Sequence, residues 1–284
     1  MRGVKKYALA AAGVFALCYT FICVYMWSTQ RQKIFEPTML LQTTPARNGM
    51  HYEDVHIPSG VGTERGELHG WWIPSVQTDM PTLLYLHGNS HNISYAHDVE
   101  NFTRLHRLGY NLLLIDYRGY GKSTGGPPSE AKVYEDAEAA WNYLIKQRAC
   151  KPGRTFIYGH SLGGAIGIEL ALHHPEAAGL IEESSFTSMQ AMGEIKYSYL
   201  PLGILLNQRF DSLKKIPQLK IPLLVIHGTW DQTVPYQMGQ QLFDAAPQPK
   251  MLKLIEGGEH NNNSGIAWIE YLDAMHTFVQ KNMH

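Results

Sequence analysis

Cysteine is scarce, with three in 284 residues. Cys18 and Cys23 fall inside one apolar run, which leaves Cys150 alone, so no intrachain disulfide is available to the rest of the chain. A surplus of charge is also missing. Lys and Arg total 24 against 25 Asp and Glu, and no basic cluster stands out, which removes the electrostatic case for a nucleic-acid partner. No Gly-Lys-Ser/Thr follows a glycine after a four-residue spacer, so Gly119, Gly121, Gly125 and Gly126 do not make a phosphate loop. The 14 histidines give no metal motif: His87, His91 and His97 straddle a loop without the helical spacing of a zinc site. Neither metal nor cofactor is called for. No repeat or low-complexity tract interrupts the chain.

What is present begins at the N-terminus. Residues 1–6 are basic, and residues 7–27, YALAAAGVFALCYTFICVYMW, carry no charge. Such a run matches the ~20 residues a helix needs to cross a bilayer. Tyr7, Tyr25 and Trp27 stand where interfacial aromatics belong. A cleaved signal peptide is the plainer alternative, but the run is long for one and no small-x-small site follows it. The expectation is an uncleaved anchor and a bilayer partner through residues 7–27. Arg2, Lys5 and Lys6 favour a cytoplasmic N-terminus and an extracytoplasmic domain, with a bacterial periplasm favoured; Arg31 and Lys33 oppose this and keep a cytoplasm-facing domain as the alternative. Residues 28–50 are polar and read as a tether of roughly 75 Å when extended, leaving the orientation of the domain free.

From residue 51 to residue 284 the pattern is that of one domain. Two strands, around 52–57 and 67–73, precede a regular alternation. Strands are expected at 82–87, 110–116, 155–159, 178–183, 222–228 and 251–256, and helices at 94–107, 130–148 (capped by Ser129), 162–173, 236–245 and 264–281. Continuous apolar strands alternating with helices predict a mostly parallel sheet covered on both faces. The stretch 184–216 breaks the rhythm and reads as a small cap, within which 197–206, YSYLPLGILL, is conspicuously apolar.

In such a sheet chemistry gathers at the carboxyl ends of the strands. FIYGHSLGG (156–164) ends a strand in a serine flanked by glycines and opens a helix. A Gly-x-Ser-x-Gly turn of this kind exposes a hydroxyl above the sheet. A hydroxyl needs a base to become a nucleophile, and an imidazole base needs a carboxylate to hold its tautomer. Asp231, in VIHGTWDQTVP, and His260, in LIEGGEHNN, each follow a later strand. The candidate triad is therefore Ser161, Asp231 and His260. Two backbone donors must meet the developing oxyanion. Leu162 supplies one, and Asn89 in LYLHGNS the other, with Ser90 as the off-by-one alternative. Asp116 also ends a strand and is the rival acid.

With HGN (87–89), DYRGYGKSTG (116–125), GHSLGG (159–164) and ESSFTS (183–188), these segments resemble the α/β-hydrolase superfamily. The resemblance runs from about residue 67 to the C-terminus, and more narrowly suggests the Bem46 branch, which includes membrane-anchored members and relatives of protein depalmitoylases. It implies an α/β-hydrolase fold and assigns nucleophile, acid and base to Ser161, Asp231 and His260. It makes Asp116 structural, with Arg118 as its expected partner. This chain departs from the family at GGEHNN, where Glu259 is expected to influence the base. The implied activity is hydrolysis of a carboxylic ester or thioester, with an acylated or small-molecule substrate favoured. An amidase or peptidase on the same triad and a non-catalytic membrane-anchored binding protein are the alternatives. Oligomeric state is not legible.

Overall fold

The computed structural model describes residues 2–283. Eight strands form one sheet: β1 (Glu53–Ser59), β2 (Gly66–Ile73), β3 (Thr82–Leu86), β4 (Asn111–Ile115), β5 (Thr155–His160), β6 (Gly179–Glu183), β7 (Leu223–Gly228) and β8 (Lys250–Ile255). Their spatial order is β8-β7-β6-β5-β3-β4-β2-β1. β1–β2 and β2–β4 pair antiparallel and every other pair is parallel. The mostly parallel sheet expected from the alternation, and the α/β-hydrolase architecture that the resemblance implies, are the ones observed.

Alternation along the strands divides the core. Leu84, Leu86, Leu113, Ile115, Ile157 and Leu180 face one way. There they pack on α3 (Glu130–Asn142), α4 (Leu162–His173) and α8 (Tyr236–Ala245). Leu83, Tyr85, Leu112, Leu114, Phe156 and Tyr158 face the other, towards α2 (Ala96–Arg107) and α10 (Trp268–Asn282). With both faces covered, central strands must be apolar throughout, which is why they read as unbroken runs. Ser129 caps α3 by accepting from the Lys132 N–H at 3.4 Å. Residues 143–147, expected as part of that helix, form a π-helical turn. Between β6 and β7 lie three short helices, α5 (Met189–Tyr197), α6 (Leu202–Leu205) and α7 (Ser212–Lys215); α9 (Asn263–Ile266) precedes α10.

The N-terminal helix α1 runs from Arg2 to Ile34 without a break. Val4–Ile34 has a mean hydropathy of 2.0 over its most apolar window and is long and apolar enough to cross a membrane. The expected tether is corrected here. Ile34 and Phe35 are buried, Phe35 meets the Phe210 ring, and the Glu36 N–H donates to the Asn89 carbonyl at 3.0 Å. Arg31 donates to the Pro127 and Pro128 carbonyls, and Asn92 Nδ2 to the Thr38 and Leu40 carbonyls. Gln30 and Arg31, polar residues of the expected tether, donate to carbonyls of the domain's loops. The direction of α1 is consequently set by the domain.

A second correction concerns Arg118. Its fully buried guanidinium pairs with Asp136 at 2.6 Å and with Glu135 at 2.6 Å, not with Asp116. Asp116 accepts instead from the Ile93 N–H at 2.8 Å. A Cβ on Gly121 would lie 1.9 Å from its Oδ2. Packed this tightly against backbone, Asp116 has a structural role.

Candidate active site

Ser161 sits at the end of β5, where the chain turns into α4 with φ 53° and ψ −117° at the serine. This left-handed conformation costs a non-glycine residue of order 1–3 kcal/mol and persists only when its surroundings enforce it. Two glycines make the enforcement possible. A Cβ on Gly159 would fall 2.2 Å from the Gly163 carbonyl oxygen, and one on Gly163 would fall 2.0 Å from that of Leu86. The turn packs backbone on backbone and has no room for side chains.

The loops after β7 and β8 carry the other two residues to this point. His260 Nε2 is 3.0 Å from Ser161 Oγ, and His260 Nδ1 is 2.7 Å from Asp231 Oδ2. A carboxylate only accepts, so Nδ1 bears the proton and Nε2 presents its lone pair to the hydroxyl. Asp231 Oδ1 accepts from the Thr233 and Val234 N–H groups, each at 2.8 Å. Burial alone would raise the Asp231 pKa, but hydrogen bonds from His227 and His260 outweigh it and hold the carboxyl well below its usual range. His260 moves down from 6.5: burial dominates, and the neighbouring His160 adds to it, against the opposing pull of Asp231.

The arrangement brings together all five residues singled out from the sequence. Asn89, Ser161 and Leu162 line one cavity of about 440 Å³, and the Leu162 N–H, first in its helix, has no intrahelical acceptor. Asn89 and Ser161 also line a second cavity of about 220 Å³, together with Ser90, His91, His97 and Asn261. Ser161 thus stands between an apolar cavity, walled by residues such as Phe186, Met192 and Leu205, and a polar one. Glu259 departs from expectation. It is exposed and its carboxylate accepts from Asn262 Nδ2 at 3.2 Å, while the charges acting on His260 are those of Asp231, His160 and His227.

Four contributors escaped the sequence reading. His227 Nε2 donates to the Val234 carbonyl at 3.0 Å and lies 3.2 Å from Asp231 Oδ2, so a second imidazole stands against the carboxylate. Burial would lower the His227 pKa, but Asp231 and the charge of Glu182 prevail and raise it. Glu182, wholly buried at the end of β6, has its own carboxyl pushed up to about 7 by that burial. His160, the residue before Ser161, donates from Nε2 to the His260 carbonyl at 2.9 Å and braces that loop. The His227–Asp231 interval of four residues was the only sequence sign of any of these. The fourth missed contributor is α1, which adds Met26, Gln30 and Ile34 to the wall of the larger cavity.

Comparison with known proteins is consistent with this geometry. The family model described as serine aminopeptidase, S33, matches residues 80–211. The protein Rv2307c of Mycobacterium tuberculosis is 34% identical over 278 residues, covering 96% of this chain and 95% of its own. The lysophosphatidylserine lipase ABHD12 of Danio rerio is 34% identical over 216 residues, 69% of this chain and 55% of that protein. Among solved structures, the Pyrococcus furiosus esterase Pf2001 superposes with a TM-score of 0.71 at 21% identity, covering 88% of this chain and 99% of the esterase, a likeness of fold. On the sheet order, the strand-to-helix serine turn and these relatives, the chain belongs to the α/β-hydrolase superfamily of hydrolases, in the company of Bem46-like relatives.

Proposed function

We propose that the protein is a serine hydrolase that cleaves a carboxylic ester or thioester through a covalent acyl-enzyme. The observation that carries this reading is the chain of two hydrogen bonds, 2.7 Å from Asp231 to His260 and 3.0 Å from His260 to Ser161. His260 Nε2 takes the Ser161 proton as Oγ attacks the carbonyl carbon. The N–H groups of Leu162 and Asn89 receive the oxyanion. The imidazolium, stabilised by Asp231, gives its proton to the departing alcohol or thiol. Water then attacks the acyl-enzyme with His260 again as base, returning the acid product and free Ser161. The apolar cavity suits the acyl part and the polar cavity the leaving group. A lipase among the relatives supports an acyl ester.

The test is labelling of the full-length protein in detergent with a fluorophosphonate probe. Wild type is expected to label, and Ser161→Ala and His260→Ala are not; ester turnover should fall by about 10⁴–10⁶ in either variant. Folded wild type that neither labels nor turns over ester sinks the reading. An amide substrate is the second reading, favoured by the serine aminopeptidase description of the matched family model. Turnover of an anilide faster than the matching ester would put it first.

A further inference from the structure

The wall that α1 gives to the larger cavity has a simple origin. Tyr19, Cys23, Met26, Gln30 and Ile34 recur at spacings of four, three, four and four, the repeat that keeps residues on one side of a helix, and all are partly or fully covered. The flanking Phe21, Ile22, Val24, Tyr25 and Trp27 are exposed. The covered stripe is pinned to the segment between β6 and β7: Tyr19 Oη donates to the Tyr199 carbonyl at 2.8 Å, and Gln30 Nε2 to that of Leu205 at 3.2 Å. The Asn207 N–H donates back to Gln30 Oε1 at 2.9 Å.

These bonds set the depth of the cavity against the anchor. At about 1.5 Å per residue, Tyr19 lies ~12 Å along α1 from Trp27, the last residue of the uncharged run. With residues 7–27 in a bilayer, the Tyr199 carbonyl is therefore well inside it, and Met26 is at its boundary. Exposed apolar side chains lie along the segment that carries Tyr199: Ile195 is 54% exposed, Tyr199 62% and Ile204 87%, with the exposed charges of Glu194 and Lys196 beside Ile195. The lining of the cavity then runs from Ser161, on the water side, up to Met26 at the hydrocarbon edge.

We infer that this cavity is an acyl-chain channel entered from the bilayer, between α1 and the helices α5 and α6, and that the substrate is an acyl ester dissolved in the membrane. Its chain lies against Met26 and Leu205, its carbonyl reaches Ser161, and its polar leaving group occupies the cavity lined by His91 and His97. The inference rests on the Ser161 hydrolase reading. It adds that the anchor is itself part of the binding site.

The experiment uses full-length protein in phosphatidylcholine vesicles, with a palmitoyl ester of a fluorescent alcohol in the bilayer and a butyryl ester of the same alcohol in water. Met26→Trp narrows the channel and should lower the palmitoyl-to-butyryl ratio of kcat/KM by about tenfold or more, the scale of a steric misfit in an apolar site. Fluorophosphonate labelling certifies that the variant is folded, and Met26→Phe replaces it under the same criterion if labelling is lost. Ile204→Lys, which does not line the cavity, should depress hydrolysis of the vesicle-borne ester and leave that of the soluble ester alone. Labelled Met26 variants with an unchanged ratio, or Ile204→Lys with both activities unchanged, overturn the channel and leave the hydrolase reading standing. A wild type that takes no probe and cleaves neither ester overturns both.

Discussion

Asp231→Asn is the most informative substitution, because the structure dictates which way the new amide must point. Oδ1 of Asp231 accepts two backbone N–H groups at 2.8 Å, from Thr233 and Val234, so the amide oxygen of an asparagine has to take that position. Its NH₂ then replaces Oδ2 and faces His260 Nδ1, now 2.7 Å from a carboxylate oxygen, and His227 Nε2 at 3.2 Å. A donor opposite Nδ1 makes that nitrogen an acceptor and moves the imidazole proton to Nε2, against the Ser161 hydroxyl. The base is lost although every heavy atom stays in place. A wrong tautomer of this kind costs about 10⁴ in kcat, or ~5.5 kcal/mol of transition-state stabilisation. The assay is ester turnover beside the rate of fluorophosphonate labelling, with circular dichroism to show that the fold is retained. A folded Asp231→Asn protein keeping more than about a tenth of wild-type kcat would refute the claim that Asp231 acts by holding the tautomer of His260.

Three further outcomes follow from the same geometry. His260 works only when neutral, and its pKa is lowered from 6.5, so kcat/KM should rise with pH through a midpoint below that value and then level off. His160→Gln keeps a donor for the His260 carbonyl and removes a group that pushes the His260 pKa down, so the midpoint should move up; a midpoint that stays or falls contradicts the assignment. Gly163→Ala sets a Cβ 2.0 Å from the Leu86 carbonyl oxygen and 2.8 Å from that of His87, neither of which can yield freely. It should cost about 1–3 kcal/mol in a thermal melt and abolish labelling, and a variant as stable as wild type would mean that the turn is looser than these distances require.

The parallel sheet was legible in the sequence because its strands are covered on both faces, which forces unbroken apolar runs such as TLLYL and LLVIHG. The serine turn was legible because close backbone packing at Gly159 and Gly163 excludes every other residue type, and so marks the chain locally. Asp231 and His260 were found by position, each in the first loop after a strand, and the structure draws them to Ser161. Arg118 shows where such reading stops. Its neighbour Asp116 is two residues away in the chain, but its partner Asp136 belongs to α3, and only packing β4 against that helix brings them within 2.6 Å. His227 is likewise placed by packing: its four-residue interval to Asp231 is the one local sign that its ring lies 3.2 Å from that carboxylate.

The largest gap between sequence and structure lies at the N-terminus. An apolar run of 21 uncharged residues is a property of composition, and the chain alone declared it. Whether that helix hangs free or joins the domain depends on Gln30, Arg31 and Ile34 meeting Leu205, Pro128 and Asn89, partners separated from them by between 55 and 175 residues. Local sequence therefore determined which segments are helix, strand and reactive turn, because those depend on neighbours a few residues apart. The tertiary structure alone decided which carboxylate pairs with Arg118 and that the apolar helix walls the cavity, because these depend on groups that folding alone brings within hydrogen-bonding reach.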